Sequence, residues 1–470
     1  MPVRARVLLV AVALLLPVDA AVAQEEPAPA PAPAPTPPAL ATPLLSVRRA
    51  PALLSRFAGE TNLRADLDRI MTDPVYGAAR DRSCLVVGDP GGGTVHYSRQ
   101  PSLGLIPAST IKLLTAAAGL AQLGPGHRFT TDVRAGAPPA ADGSVGDLYL
   151  IGGGDPLLST AEFASDGGYQ GQARRSTSIE ALADKVVAAG VRRVGRLLGD
   201  ESRYDSERLV PSWNPRYIAN FDISPLSALV VNKAFTQQSP PATAVSPPAH
   251  AASVLAELLR ARGVIVGDTG AARAPATTTR VTSIESPPLS DVVAEILENS
   301  DNLAAELLVK ELATKPGVPG TTNAGLAVVE EQLRRMAGVA PEEIDAVDGS
   351  GLDRTDKTSC SVLQRVVATG PPQLNDGLPI AGRNGTLHRR FLGTPAAGRV
   401  RAKTGSLEGV VGLSGLATGQ NGRNVAFSLI ANDLPSSSVG AGLQDRVVNV
   451  LATFPRAPAP EELGPRSPAG

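Results

Sequence analysis

Hydrophobic rhythm divides the chain into stretches of different character. An uncharged apolar run from Val7 to Pro17 gives way to Pro27–Pro38, almost wholly proline and alanine. Helical spacing appears in short pieces over Ser46–Phe57 and Leu63–Ile70. Cys84–Gly88 is a continuous apolar run with the length of a strand, and Asp89-Pro90-Gly91-Gly92-Gly93 turns it back into a second strand, Thr94–Ser98. From Pro107 the chain enters a helix of small and apolar residues with one charge, Lys112, that ends near Gly124-Pro125-Gly126.

Beyond Phe129 the rhythm changes. The strand-like runs Leu148–Ile151, Val194–Leu198 and Gly263–Val266 alternate with the helices Ile179–Gly190 and Ala252–Arg262, which marks residues 129–284 as an inserted unit. Within it Gly152-Gly153-Gly154-Asp155-Pro156 is a tight turn, and Trp213 reads as core or interdomain packing in preference to substrate stacking. Leu289–Glu298 and Leu303–Leu312 are helices interrupted by Ser300-Asp301-Asn302, and Gly325–Gly338 adds another. The turn Gly349-Ser350-Gly351-Leu352 leads to a helix over Ser361–Ala368. Arg401–Ser406, Val410–Ala417 and Val425–Ala431 are strands, the last two joined at Gln420-Asn421-Gly422, and Leu443–Phe454 closes as a helix. Three late strands with the early hairpin predict one mostly antiparallel sheet with helices packed on it, built from residues 43–128 and 285–454.

The chain's opening changes this picture. Two arginines precede the Val7–Pro17 run, and Ala21-Val22-Ala23 forms a small-x-small site before Gln24. This predicts a secretory signal peptide over 1–23 and an extended linker over 24–42, hence an exported, extracytoplasmic protein. Residues 455–470 are Pro-rich and are expected to be an unordered tail. The mature chain has no other apolar run long enough to span a membrane. A formal net charge of −1 gives no footprint for nucleic acid. His96, His127, His250 and His388 lack metal-ligand spacing, so no metal or cofactor is expected. The glycines at 91–93 lead into a strand with no following lysine of a phosphate loop. Cys84 and Cys360 either form one disulfide, as an exported protein permits, or are two buried thiols.

Three short motifs carry chemistry. In Ser109-x-x-Lys112 the hydroxyl and the amine share a helix face, and an apolar setting lowers the amine's pKa, making it a base for the serine. Ser300-x-Asn302 lies between two helices, and Lys403-Thr404-Gly405 opens a strand. In this order they predict serine acyl transfer. Ser109 attacks a carbonyl and Lys112 takes its proton, while Lys403 disfavours protonation of Lys112. Ser300 relays a proton to the leaving amine, and Asn302 bridges Lys112 and a substrate carbonyl. Thr404 and Ser406 hold a terminal carboxylate, and backbone N–H groups of Ser109 and Ser406 form an oxyanion hole. The Lys403 strand is expected to be a sheet edge that pairs with an extended peptide. Asp301 is expected to order its loop through backbone hydrogen bonds.

The stretches Ile106–Lys112, Gly152–Pro156, Glu298–Asn302, Asp348–Leu352 and Ala402–Ser406 together resemble the D-alanyl-D-alanine carboxypeptidase/endopeptidase family, the class C low-molecular-mass penicillin-binding proteins. The resemblance covers nearly the whole mature chain. Ser406 stands where the family usually has Thr and keeps the hydroxyl, while Leu157-Leu158 and Ser224–Leu226 depart from the pattern. The resemblance implies an α+β fold: a penicillin-binding/β-lactamase-like transpeptidase domain, an antiparallel sheet flanked by helices, with a large inserted region of one or two small domains. It implies cleavage of the terminal bond of peptidoglycan stem peptides ending in D-Ala-D-Ala, with cross-bridge endopeptidase activity in some relatives. It also implies that β-lactams acylate Ser109 as covalent inhibitors. A β-lactamase or esterase would share the acylation step, and a wall-binding protein would use the site only as a peptide pocket.

Overall fold

The computed structural model describes residues 46–165 and 174–465. The leader and linker expected over 1–42 lie outside the described residues.

Two five-stranded sheets organise the chain. The first takes β1 (Ser83–Gly88) and β2 (Val95–Arg99) from the early part. The second takes β3 (Thr130–Ala135), β4 (Ser144–Ile151), β5 (Arg193–Asp200), β6 (Ile265–Ala271) and β7 (Thr279–Glu285). The chain then returns to the first sheet with β8 (Val400–Leu407), β9 (Val410–Thr418) and β10 (Asn424–Ala431). The order in the first sheet is β8-β9-β10-β1-β2, antiparallel throughout, so both ends of the chain build one sheet as the apolar runs predict. In the second sheet, order β6-β5-β4-β3-β7, β5 runs parallel to both neighbours and the other pairs are antiparallel.

Strand β1 is buried along its whole length because both faces of its sheet are covered. Its alternate residues serve two cores, as a period of two requires. Cys84 and Val86 pack with α2 (Lys112–Leu123), α5 (Leu289–Glu298), α6 (Asn302–Leu312), α7 (Thr322–Ala337) and α8 (Cys360–Thr369). Leu85 and Val87 pack on the other side with α1 (Pro51–Met71) and α9 (Ser437–Ala452). Cys84 and Cys360 form a disulfide across the first core, with Cα atoms 5.8 Å apart, which decides between the two readings of the cysteines. The second sheet has its own core, supplied by α3 (Ile179–Ala188) and α4 (Pro247–Arg260).

Two differences from the sequence reading share a cause. Helix α1 is continuous where the sequence suggests two pieces, although Gly59, Thr61 and Asn62 are weak helix formers. A Cβ on Gly59 would approach a Pro455 ring carbon to 2.9 Å, so glycine there admits the chain's C-terminal segment. Residues 455–465 are accordingly not an unordered tail. The Arg456 and Pro458 carbonyls accept from the Asn62 amide (2.7 Å) and the Ser55 hydroxyl (2.8 Å), and Arg456 pairs with Asp66. A Pro-rich segment has few N–H donors for a ladder, and α1 satisfies its carbonyls from polar side chains instead.

The turn Gly152–Pro156 is closely packed between β3 of the second sheet and the segment at Ala228. Added Cβ atoms at Gly152 and Gly153 would sit 2.2 and 2.0 Å from the carbonyl oxygens of Ala228 and Thr130. Trp213 is buried, as expected of a packing residue, among Tyr204, Tyr217 and Leu226 and against Leu303, Leu307 and Leu352. Among the described residues no helix is long and apolar enough to cross a membrane.

Candidate active site

Ser109 lies in a single 3-10 turn, Ala108–Ile111, that runs directly into α2. Thr110 tightens the turn by donating its hydroxyl to the Pro107 carbonyl at 2.7 Å. Lys112, the first residue of α2, therefore stands one turn from Ser109 and points into the protein, with no exposed surface. Its ammonium donates to Ser109 Oγ at 3.0 Å, to Asn302 Oδ1 at 2.6 Å and to the Ser350 carbonyl at 2.5 Å. Burial pushes Lys112 down to about 8, and the carboxyls of Asp348, Glu306, Asp301 and Asp356 oppose that fall.

Ser300 occupies the break between α5 and α6 with φ +57°, a left-handed conformation uncommon outside glycine and frequent at functional sites. Asp301 caps α6 by accepting the Ala304 N–H at 3.0 Å, as expected, and also pairs with Lys233 at 2.5 Å. The capped helix start fixes Asn302, whose Nδ2 donates to the Asp222 carbonyl at 2.7 Å, leaving Oδ1 for Lys112.

Lys403 is wholly buried on β8 and donates to Ser300 Oγ at 2.9 Å and to the Thr404 carbonyl at 2.8 Å. Burial, and then the Lys112 charge, hold Lys403 well below the usual lysine range. Sequence reasoning assigned the depression to Lys112 alone. Burial lowers both amines, and the charge on Lys112 lowers Lys403 further.

Strand β8 is an edge of the first sheet. Residues 379–381 cover its outer side at Val400–Ala402, and no strand lies beside Thr404–Leu407 among the described residues. Gly405 brings this strand against the serine turn, since a Cβ there would reach the Pro107 carbonyl oxygen at 2.7 Å. Thr404 and Ser406 alternate with it on the opposite face. Thr404 donates to Thr386 Oγ1 at 3.0 Å, and Ser406 is exposed.

The structure thus gathers Ser109, Lys112 and Asn302 into one hydrogen-bonded set and Ser300 and Lys403 into a second, close enough that the Lys112 charge acts on Lys403, beside the open edge of Thr404, Gly405 and Ser406. It also brings in groups that sequence reasoning missed: the Ser350 and Asp222 carbonyls, the Thr386 hydroxyl, and the buried carboxyls of Glu306 and Asp348. Glu306 had a readable signal, a lone acid within Leu303–Leu308. The carbonyls had none, because any residue supplies one.

The sequence profile of the D-Ala-D-Ala carboxypeptidase 3 (S13) family matches residues 63–244 and 237–454. The chain is 32% identical to a D-alanyl-D-alanine carboxypeptidase of Actinomadura sp., over 89% of this chain and 90% of that protein. It is 35% identical to carboxypeptidase DacB of Mycolicibacterium smegmatis, over 70% of this chain and 71% of that one. The fold is similar to the crystal structure of penicillin binding protein 4 (dacB) from Haemophilus influenzae, with a TM-score of 0.68 at 20% identity, covering 84% of this chain and all of that one. These matches span both sheets and the cluster around Ser109, and on them the chain belongs to the D-Ala-D-Ala carboxypeptidase 3 (S13) family.

Proposed function

We propose that this protein is a serine-type D-Ala-D-Ala carboxypeptidase that cleaves peptidoglycan stem peptides through an acyl-enzyme at Ser109. The observation that carries the reading is the Lys112 amine, buried, lowered to about 8 and 3.0 Å from the Ser109 hydroxyl. A neutral Lys112 accepts the Ser109 proton as Oγ attacks the penultimate D-Ala carbonyl. Asn302 orients that amine through Oδ1. Ser300, held by Lys403, relays that proton from Lys112 to the departing D-alanine amine as the peptide bond breaks, which leaves Lys112 neutral again. Water then attacks the ester, Lys112 takes its proton and passes it to Ser109 Oγ as the ester bond breaks, which restores the hydroxyl and the neutral amine. The open edge of β8 supports an extended substrate strand, and the hydroxyls of Thr404 and Ser406 suit its terminal carboxylate.

The same chemistry serves a cross-linked peptide, because only the leaving amine differs. The reading therefore includes DD-endopeptidase activity. A β-lactam presents its strained amide to the same serine and becomes a covalent inhibitor. Residues 1–23 support export, which delivers the protein to its polymeric substrate outside the cytoplasm.

Purified protein incubated with a fluorescent penicillin is expected to gain one covalent label on the Ser109 peptide and to release D-alanine from a stem pentapeptide. Ser109→Ala is expected to lose both. Equal labelling of that variant overturns the assignment.

A further inference from the structure

One turn touches both Ser109 and Lys112 without offering a side chain to either. The Ser350 carbonyl accepts the Lys112 ammonium. Gly351, at φ +81°, lies so close to the serine turn that a Cβ would stand 2.1 Å from the Ala108 carbonyl oxygen and 2.9 Å from the Ser109 nitrogen. Gly349 accepts the Thr115 hydroxyl at 2.8 Å and donates its N–H to Glu306 at 3.0 Å. The remaining donors of this turn converge on one buried carboxylate. Asp348 accepts four N–H groups: Ser350 (3.0 Å), Gly351 (2.6 Å), Asp353 (2.8 Å) and the Trp213 indole (2.7 Å). The indole comes from the inserted stretch, and the neighbouring Ser212 hydroxyl binds Asp353.

We propose that Asp348 is a positioning residue for acylation, setting the Ser350 carbonyl on Lys112 and the Gly351 backbone against Ser109, with Trp213 holding it in place. The proposal rests on the serine-acylation reading. Its physical basis is that hydrogen bonds to an ionised acceptor are about twice as strong as neutral ones. Four of them determine the path of a short turn. An amide at this position has one acceptor oxygen, and its NH₂ would face N–H donors on the other side.

The charges around Lys112 give this role a signature of its own. Lys112 faces the carboxyls of Asp348, Glu306, Asp301 and Asp356, and Lys403 lies close enough to feel the Lys112 charge. Burial and the Asp348 charge push Glu306 up to about 8 and Asp356 up to about 10, and Asp301 is paired with Lys233. Asp348 acts most strongly among the four in holding the Lys112 proton against burial. Removing its charge lets Lys112 lose that proton at lower pH. Glu306 and Asp356, both raised by the Asp348 charge, then ionise more readily, but each acts on Lys112 more weakly than Asp348 does.

The test is the rate of fluorescent-penicillin labelling of the full chain between pH 6 and 10, with circular dichroism as a check on folding. Asp348→Asn is expected to label at least about tenfold more slowly, because small misplacements of reacting groups cost large factors. Its acid limb is expected to move to lower pH. Trp213→Phe keeps the Asp348 charge and a smaller aromatic ring but removes one donor, so labelling slows about threefold with the limb unmoved. Asp348→Asn labelling at the wild-type rate overturns the proposal, and so does slower labelling with an unmoved limb, which is loosened packing alone. If Asp348→Asn does not fold, Trp213→Phe decides, and a wild-type rate for it overturns the proposal. A wild-type protein that takes no label instead removes the acylation reading beneath it.

Discussion

At the scale of the residue, burial decides which protonation state a side chain offers. Lys112 is an amine that titrates near 8 because water is excluded from it, and four carboxyls limit how far it falls. In the proposed reaction the neutral amine is the base, and protonation removes it. The second-order rate of labelling by penicillin is therefore expected to rise with pH through about 8 and then level, as read by stopped-flow or gel fluorescence. Glu306 shows the opposite sign. Burial and Asp348 raise it from 4.5 to about 8, so the folded chain keeps a proton that the unfolded chain releases. Its contribution to stability is complete below about 4.5 and is lost as pH rises through about 8. Glu306→Gln holds a neutral group at every pH and still accepts the Gly349 N–H. Its melting temperature is expected to fall less than that of the wild type between pH 5 and pH 8. A parallel fall in both proteins would contradict the sign. Above pH 8 the lowered Lys112 contributes in the other direction, so the comparison belongs below it.

At the scale of the element, the disulfide joins β1 to the first residue of α8 and closes a loop of 276 positions. In the chain-entropy picture such a loop is worth about 5 kcal/mol as an upper value. A Cys84→Ala, Cys360→Ala double variant is expected to unfold at lower denaturant, with the wild type under reductant moving toward it. The elements themselves were unevenly legible. Strand β1, the hairpin β9–β10 and helices α2, α5, α6 and α8 have dense apolar runs or clear helical spacing, and these were read to within a few residues. Strands β3 and β7 were missed. Their polar positions alternate with few large apolar ones, Val133 in β3 and Val281 and Ile284 in β7, so neither forms a run. The expected strand Gly263–Val266 in fact starts two residues later and reaches Ala271 through exposed polar positions. The parallel pairing of β5 depends on crossovers that no local pattern encodes. For the cluster around Ser109 the motif side chains were readable, because their chemistry is specific to residue type. The supports behind them were not, since Ser350 acts through its carbonyl and Asp348 through the path of a turn.

At the scale of the whole molecule, the stretch after β5 is joined firmly to the helical face of the first sheet. Tyr204, Val210, Trp213 and Tyr217 bury apolar surface on Leu303, Leu307 and Leu352. Lys310, almost fully buried, pairs with Asp205, and Arg203 grips Glu311 from the same direction. The segment that leaves β5 is therefore seated against α6, the helix whose first residue is Asn302. The opposite side of the first sheet carries α1 with residues 455–465 lying along it. The two ends of the described residues consequently lie on the same side, with a complete sheet between them and Ser109. A molecule moored through either end to a bead, a bilayer or a wall strand would turn its reactive serine outward, toward whatever polymer passes in front of it.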